Sequence, residues 1–524
     1  MDLFTFIKLS ALLLTLCALY HYIVVSKSRS QSKAQHGCQP CRVLPVKDPI
    51  FASDQIIALL RAFKNKKALE DRKKLVDYFG NTYVVKSLTQ MTFYTSEPEN
   101  IKAMLSTKFP DYQFDDRTHT HYQLLGEGIF AVSGKKWVES RALLRPNFAR
   151  EQVADIATFE THIQKLFELI PTDGRTVDLQ DLFYCLTMDS ATEFLFGSSI
   201  HSLGMKDVPA TDPIAGKFSN AFYVAGSWVG KRTIMGPLAR FVRSKDETEA
   251  LKVCHTFIDR FVEDAVQYRE RLDRAGEDEE HGQEHKRYIF LQELAKATTD
   301  KKRLRDEILN ILLAGRDTTA GMLSNLFFML AKRPDVWSKL RADVESLDGK
   351  LPTYKDLQEL KYVRYCLNEC MILFPATDIA LLMASALRTH SVVPANKRTA
   401  MRDTFLPVGG GDTRKSPVFV PKGANVILNI DALHRRKDIW GADADEFKPE
   451  RWETWRPGWE YSPFSGGPRT CIGQQYALTE AAYVTVRLAQ QYKTVESRDD
   501  GPWVEGYSIT LCSGNGTKVA LRTE

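Results

Sequence analysis

Hydrophobic residues recur along most of the chain with the three-to-four-residue spacing of amphipathic helices. The longest such pattern covers residues 304–333 and stops before Pro334. Strand-like alternation is short and scattered: TYVVKSL near residue 82, SPVFVP near 416 and NVILNI near 425. The pattern therefore predicts a mainly α protein with small β-sheets, and it contains no internal repeat.

The N-terminus departs from the amphipathic pattern. Residues 9–25 contain no Lys, Arg, Asp or Glu and lie between Lys8 and Lys27. A helix over this stretch is roughly 26 Å long, enough to span a membrane if the flanking lysines reach the polar surface. The resulting division of the chain is a membrane anchor at residues 1–26, a basic, Pro-containing tether at 27–50 and one large domain at 51–524.

A cleaved signal peptide is the alternative interpretation of the N-terminus. No small-x-small cleavage site follows the apolar stretch, whereas Lys27, Arg29 and Lys33 do. Because positive residues favour the cytosolic side of a membrane, we expect an uncleaved, single-pass anchor with the large domain in the cytosol.

Composition excludes some classes of function. The chain has 524 residues, of which 44% are hydrophobic and 26% charged, and its net charge is only +5, too little to indicate a nucleic-acid-binding protein. Nine cysteines in a cytosol-facing chain are expected to be reduced thiols. The Gly-rich stretches at residues 126–131 and 409–411 lack the strand and helix context of nucleotide-binding motifs, so we interpret both as loops.

The strongest chemical signal is FSGGPRTCIG, residues 464–473, which precedes the helical pattern QQYALTEAAYVTVRLAQQY. Cys471 is thereby placed in a tight Gly- and Pro-containing loop just before a helix. The unpaired N–H groups at a helix N-terminus stabilise a thiolate, the form of cysteine that binds a soft metal. Arg469 supplies a cation for a nearby carboxylate, and Gly473 removes bulk next to the sulfur.

A second signal lies at the centre of the helix predicted at 304–333, which reads AGRDTT. Small residues there let a flat cofactor approach the backbone, and a threonine hydroxyl can hydrogen-bond to a carbonyl of the preceding turn. Asp317 beside Thr318 can relay protons. On its own, such a sequence is more often a solvated stretch of helix; next to a cofactor-binding loop, the functional interpretation is favoured.

The pattern FxxGxRxCxG resembles the heme-binding loop of the cytochrome P-450 family of heme-thiolate monooxygenases. The wording of five segments makes the chain similar to the fungal alkane and fatty-acid hydroxylase branch of that family: LLGEGIFAVSGKKWVESRALLRPNFAREQV, AGRDTTA, PVGGGDTRKSPVFVPKGANV, HRRKDIWGADADEFKPERW and GGPRTCIGQQYALTEA. The resemblance extends from about His36 to the C-terminus. It implies the cytochrome P-450 fold, with heme b between the long central helix and the Cys loop and the helix that follows it.

The resemblance also assigns roles to residues of this chain. It implies that Cys471 is the axial ligand of the heme iron and that Asp317 and Thr318 belong to the oxygen-activation groove. The other residues that it implies for heme binding are Trp137, Arg141, Arg398, Phe464, Arg469 and Gly473.

The implied activity is insertion of one oxygen atom of O₂ into a C–H bond of an apolar substrate, near the end of a long aliphatic chain. No NADPH or flavin motif is present, so the resemblance implies electrons from an NADPH-dependent cytochrome P-450 reductase, with cytochrome b5 as an additional partner, at the endoplasmic reticulum membrane. Oxidation of the alkyl tail of a fungal secondary metabolite is one alternative. A non-oxygenating heme protein is another, although it would not need Asp317 and Thr318.

One segment departs from the family's pattern. The resemblance implies a Glu-x-x-Arg turn whose two side chains pair with Arg451, but Glu369 has Ile372 at this spacing and the matching Arg388 lies far downstream. Replacing residues 370–386 by one serine restores the turn, and codons for Cys-Met and Ser-Ala can supply the two ends of an intron. We therefore predict that residues 370–386 are an aberrant insertion from a retained intron or gene-model error, which could leave a heme-binding but inactive product. A genuine insertion is the alternative.

Overall fold

The structure of the protein is a computed structural model. It describes residues 3–88, 90–114, 117–149, 156–204, 213–275, 288–370, 392–456, 458–507 and 510–524.

Helices dominate the described residues, which confirms the predicted fold class. The predicted pattern at 304–333 forms one long helix, Lys301–Lys332, which begins at the capping residue Asp300 and is followed by Pro334. The α-helices are α1 Leu3–Gln35, α2 Ser53–Lys64, α3 Ala68–Phe79, α4 Pro98–Lys102, α5 Arg117–Thr120, α6 Tyr122–Leu125, α7 Gly134–Leu144, α8 Ile156–Leu169, α9 Leu179–Phe196, α10 Pro213–Met235, α11 Lys245–Ala275, α12 Phe290–Ala297, α13 Lys301–Lys332, α14 Pro334–Glu345, α15 Tyr354–Glu359, α16 Lys361–Cys370, α17 Ile430–Leu433, α18 Lys437–Trp440 and α19 Gln474–Gln491.

The strands are short, and the three predicted from sequence are among them. They are β1 Arg42–Leu44, β2 Thr82–Lys86, β3 Met91–Thr95, β4 Tyr112–Gln113, β5 Val177–Asp178, β6 Ala395–Ala400, β7 Thr404–Gly410, β8 Ser416–Val420, β9 Asn425–Asn429, β10 Thr494–Ser497, β11 Glu505–Tyr507, β12 Leu511–Ser513 and β13 Lys518–Arg522. They form a six-stranded sheet in the order β1-β2-β3-β9-β6-β4, a three-stranded sheet β10-β13-β5 and the pairs β11-β12 and β7-β8.

The chain divides into two compact units. The first comprises residues 1–55, 75–113 and 397–428 and contains most of the six-stranded sheet and the β7-β8 pair. In that sheet β2 and β3 are antiparallel, with Val84 opposite Phe93, and both side chains are buried. β-Branched and aromatic residues thus form the buried face of this unit.

The second unit comprises residues 56–74, 114–396 and 429–524. Helix α13 runs through its core, where it contacts α9 and α19. Phe327 of α13 lies 5.4 Å from Phe183 of α9, between ring centroids, and both are fully buried. Since α13 contributes AGRDTT and α19 follows the Cys loop, the core of this unit holds both chemical signals found in the sequence.

Residues 27–50, predicted as a basic, Pro-containing tether, contain regular secondary structure within the first unit. Helix α1 continues to Gln35, and Arg29 forms an ion pair with Asp403 of the same unit, with 2.9 Å between Nε and Oδ2. Strand β1 then pairs in parallel with β2. The helix extends this far because SKSRSQSKAQ contains no helix breaker, the first proline being Pro40. Among the residues that the structure describes, no helix combines the length and apolar character needed to cross a membrane.

Candidate functional site: the Cys471 loop and the centre of helix α13

The loop that carries Cys471 is held by its own backbone. The Cys471 N–H donates to the carbonyl of Phe464 at 2.9 Å, closing the segment into a ring ahead of α19. Gly467 begins a 3-10 turn with φ of +64°, a conformation that favours glycine. A Cβ atom on Gly466 would lie 2.5 Å from the Trp459 ring, so this position also requires glycine. The glycines predicted to keep the loop tight therefore do so for identifiable steric reasons.

The Cys471 side chain is accessible to small molecules, although protein atoms surround it densely enough for desolvation to dominate its pKa. Desolvation raises the pKa of the Cys471 thiol, while an N–H of Gly473 and the charge of Arg141 oppose the rise. The sequence argument expected the helix terminus to favour the thiolate. The structure provides these favourable groups, but in the protein alone burial outweighs them.

Gly473 contacts no protein atom that would exclude a larger residue. A Cβ atom there would lie 3.6 Å from the Phe148 ring, which is ordinary van der Waals contact. Packing among the described residues therefore gives no steric reason for glycine here, and the removal of bulk next to the sulfur stays a prediction.

Arginine side chains converge beside the Cys loop. The Arg469 Nη2 donates to the carbonyl of Val132 at 3.0 Å, and its guanidinium lies 4.4 Å from the centroid of the Trp137 ring. Arg141 donates from Nη1 to the carbonyl of Thr470 at 3.0 Å. Burial lowers the pKa of Arg469 to about 9, with further lowering by the charges of Arg117 and Arg141. Mutual repulsion of three cations in a partly buried site favours the binding of an anion there.

Arg398 does not belong to the same compact unit as the other predicted heme-binding residues. It belongs to the first unit, on β6, where its side chain is buried and Nη1 donates to the carbonyl of Lys397 at 2.9 Å. Trp137, Arg141, Phe464, Arg469, Cys471 and Gly473 all belong to the second unit.

The centre of α13 has the local geometry expected from AGRDTT. The Thr318 hydroxyl donates to the carbonyl of Ala314 at 2.7 Å. Asp317 is buried, and its Oδ1 accepts from Nη1 of the adjacent Arg316 at 2.7 Å. Burial raises the pKa of the Asp317 carboxyl, with Arg316 opposing the rise. The helix therefore presents a buried acid and a hydroxyl side by side.

Glu369 and Arg451 are brought together. Glu369 is fully buried, and its Oε1 accepts from Arg451 Nε at 2.8 Å and from the Lys448 N–H at 2.9 Å, while its Oε2 accepts from Trp452 Nε1 at 2.9 Å. Burial raises the pKa of Glu369 to about 7 against these donors, whereas pairing raises the pKa of Arg451. Because arginine stays charged and both Glu369 oxygens are hydrogen-bonded, we treat the pair as ionic. Arg388, the third predicted member, lies outside the described residues.

Sequence reasoning missed two groups near the site. Arg117 belongs to the cation cluster, but nothing in its sequence surroundings marks it, because the proximity to Arg469 arises only on folding. Glu480 of α19 is fully buried beside Ser190 and Thr319, although neither hydroxyl has the geometry of a full hydrogen bond to it. A signal was present, since Glu480 lies in the apolar run ALTEAAYV. Phe218, in the apolar stretch FSNAFYVAGSWVG of α10, stacks on Phe257 of α11, with ring centroids 4.1 Å apart.

Comparison with known proteins gives consistent matches over nearly the whole chain. A family profile described as Cytochrome P450 matches residues 56–507. The chain is 46% identical over 508 residues to Cytochrome P450 monooxygenase himC of Aspergillus japonicus, covering 96% of this chain and 87% of that protein. It is 43% identical over 505 residues to Cytochrome P450 monooxygenase fsdH of Fusarium heterosporum, with 94% and 85% covered. It is 38% identical over 535 residues to Cytochrome P450 52A13 of Debaryomyces hansenii, with 98% and 97% covered.

Proposed function

The chain belongs to the cytochrome P450 family of monooxygenases, and from this premise we propose that it hydroxylates a long aliphatic chain at or near its end. The overall reaction consumes the substrate, O₂, two electrons and two protons, and yields an alcohol and water. The observation that carries the proposal is the combination, in one unit, of an accessible Cys471 sulfur with a cluster of arginines and a buried acid–hydroxyl pair.

The residues around Cys471 fit a heme group. A porphyrin carries two carboxylates, and the repulsion among Arg117, Arg141 and Arg469 would be relieved by such anions. Trp137 places an aromatic ring beside the same cations. Bound through the Cys471 thiolate, heme supplies the activation of O₂, since thiolate ligation favours O–O cleavage. Arg141 and Arg469 would orient its carboxylates, and the Gly473 N–H would hydrogen-bond the sulfur.

Asp317 and Thr318 would deliver the two protons. The Asp317 carboxyl has a pKa raised by burial, so it can hold a proton closer to neutral pH than an exposed aspartate can. The Thr318 Oγ1 holds its own proton on the Ala314 carbonyl and can turn to pass it on. We assign proton transfer to the Asp317 carboxyl and the Thr318 hydroxyl. Other residues of the second unit would orient the substrate.

The aliphatic substrate class rests on the sequence resemblance to the fungal alkane and fatty-acid hydroxylases. The alternative is oxidation of an alkyl tail on a fungal secondary metabolite. Either substrate is apolar and small.

We propose that electrons come from an NADPH-dependent cytochrome P-450 reductase, assisted by cytochrome b5, at the endoplasmic reticulum membrane. The N-terminal helix supports a membrane location because large apolar side chains of α1, including Leu12, Leu16 and Leu19, are more than half exposed. Cell fractionation of the full chain and of a chain lacking residues 1–26 tests this. If both remain in the soluble fraction, the anchor assignment is wrong.

We further propose that residues 370–386 come from a retained intron or gene-model error. Glu369, which directly precedes them, already binds Arg451, and replacement of the segment by one serine would restore Arg388 at the third position after Glu369. Sequencing of the mature transcript decides the origin. A mature message that encodes all of 370–386, together with an active full-length enzyme, would eliminate this proposal.

The central experiment is to reconstitute the full chain with heme, reductase and NADPH and to test dodecanoic acid, hexadecane and alkyl-tailed polyketides. The reduced protein is expected to show the carbon-monoxide spectrum of a thiolate-ligated heme, and Cys471→Ala is expected to abolish it. Hydroxylated dodecanoic acid or hexadecane would support the proposed substrate class. Oxidation of the polyketides alone would favour the alternative, and an unchanged spectrum in Cys471→Ala would refute the assignment of the ligand.

A further inference from the structure

The loop at residues 126–133, which we call the anchored loop, donates backbone hydrogen bonds to side chains of helix α13. Its Glu127 and Phe130 N–H groups donate at 2.9 Å to Asp306 Oδ2 and Asn310 Oδ1, respectively. The Ile129 N–H donates at 3.1 Å to Glu307 Oε2. Backbone groups of loops usually bind water or other backbone, so three amides bound by three side chains of one helix form a specific attachment.

The three anchoring side chains are themselves held in place. Asp306, Glu307 and Asn310 are all at least 96% buried, with exposed fractions of 4%, 0% and 0%. Lys302 forms an ion pair with Asp306 at 2.8 Å, and Arg303 forms one with Glu307 at 3.0 Å. Each pair spans one helical turn. Buried acids that are paired and accept backbone hydrogen bonds keep a fixed geometry.

Two glycines permit the close approach of the loop. A Cβ atom at Gly126 would overlap the carboxyl of Asp306, and one at Gly128 would overlap the amide of Asn310. Asn310 also donates from Nδ2 to the carbonyl of Leu125 at 2.8 Å, so it binds the chain on both sides of these glycines. The GEGIFA sequence, which resembles a nucleotide-binding motif, is therefore explained by packing against α13.

The other end of the anchored loop contacts the Cys loop. The Val132 carbonyl accepts from Arg469, two residues before Cys471. Asn310 lies two turns before Thr318 on the same helix, or roughly 12 Å along its axis. The loop thus connects the helix that carries the proton-delivering pair to the loop that carries the sulfur, and its Ile129 and Val132 side chains are apolar and buried.

We propose that Asn310 and Glu307 are positioning residues that determine which carbon of the aliphatic substrate is hydroxylated. They act by fixing the anchored loop, which joins helix α13 to Arg469 of the Cys loop, without touching the reacting atoms. This inference rests on the proposed function. Loss of either anchor lets the loop move relative to both chemical groups, and the substrate chain then stops at a different depth.

The test uses the reconstituted full-length enzyme with dodecanoic acid and hexadecane as probes. Asn310→Leu removes both hydrogen bonds at similar volume, and Glu307→Gln keeps an acceptor for Ile129 but loses the charge. Asn325→Ala is the matched control, because Asn325 is a fully buried asparagine of the same helix whose Oδ1 accepts from Trp503 Nε1 at 3.3 Å. We expect the ratio of terminal to subterminal products to change about fivefold in Asn310→Leu, less in Glu307→Gln and not in Asn325→Ala.

Amide hydrogen exchange supplies a readout that does not need turnover. Exchange at Glu127, Ile129 and Phe130 is expected to accelerate in Asn310→Leu and in Glu307→Gln, but not in Asn325→Ala. An active wild type with the same product ratio in both anchor variants would overturn the inference. If the wild type oxidises neither probe, the proposed substrate class fails, and unchanged exchange in the variants would independently reject the anchoring. Should Asn310→Leu not fold, Glu307→Gln decides both readouts.

Discussion

Two buried carboxylates of the second unit have different surroundings. Glu369 accepts hydrogen bonds from Arg451, the Lys448 N–H and Trp452, which occupy both of its oxygens. Within the part of the chain that the structure describes, Asp317 accepts one hydrogen bond, from Arg316 to Oδ1. Burial raises the pKa of both groups, so neither burial nor the direction of the shift distinguishes them.

The difference lies in hydrogen-bond saturation. A carboxylate with every oxygen occupied cannot take up or release a proton without breaking the structure around it. A carboxylate that accepts fewer hydrogen bonds, as Asp317 does among the described residues, can exchange a proton at lower cost. We infer that Glu369 is a structural group and Asp317 a functional one, and the following experiments test that division.

The largest effect is expected for Glu369→Ala. This change leaves the buried Arg451 without its counter-charge and is expected to cost about 3–5 kcal/mol, so the protein should lose heme or fail to fold. The measurement is heme content together with urea unfolding. Glu345→Ala is the control, because Glu345 forms a surface pair with Arg341 at 3.6 Å and its loss should cost less than about 1 kcal/mol. Equal stability of the two variants would contradict the structural role of Glu369.

The next effect is expected for Asp317→Asn. The amide oxygen can still accept from Arg316, so heme content should stay close to that of the wild type, while turnover falls about a hundredfold because the proton donor is lost. Product formation per heme measures this. The division between the two carboxylates is wrong if Asp317→Asn loses heme as Glu369→Ala does and retains normal turnover in the fraction that folds.

A smaller effect is expected for Thr318→Ala. Without the hydroxyl, heme binding should persist, but product per NADPH should fall about tenfold and hydrogen peroxide should rise, because proton delivery becomes unselective. Thr318→Ser retains the hydroxyl and should restore most of the coupling. An unchanged yield per NADPH in Thr318→Ala would remove Thr318 from the proposed pathway.

The smallest effect concerns Glu480, a third buried carboxyl. Burial raises its pKa from 4.5 to about 8, while Ser190 and Thr319 oppose the rise. A carboxyl whose pKa is higher in the folded state stabilises the protein fully below about pH 4.5 and loses that contribution as pH rises through 8. Glu480→Gln should therefore match the wild type near pH 4 and lose less stability than the wild type between about pH 4.5 and 8. Melting curves across this range measure the difference, and parallel curves would show that Glu480 is not neutral at pH 7.

Local spacing made part of this site predictable from sequence. The Thr318 hydrogen bond to Ala314 follows from the four-residue repeat of a helix, and the helix from its apolar period. Three short strands are predictable from the sequence because β-branched residues cluster in them. Arg117 could not be found, because its role depends on residues that become neighbours only on folding. The Gly126 and Gly128 loop was identified as a loop, but its attachment to Asp306 and Asn310 depends on packing.

The ion pair between Arg29 and Asp403 has a consequence for how this enzyme would meet an electron donor. A flexible tether as long as residues 27–50 would let a catalytic domain adopt many heights and tilts above a membrane. Here the second half of α1 is helical. Arg29 attaches it to the rest of the first unit by donating two hydrogen bonds to the Asp403 carboxylate. If the first half of α1 lies in the bilayer, the first unit is held at one height and tilt, which narrows the orientations in which a reductase on the same surface can approach it.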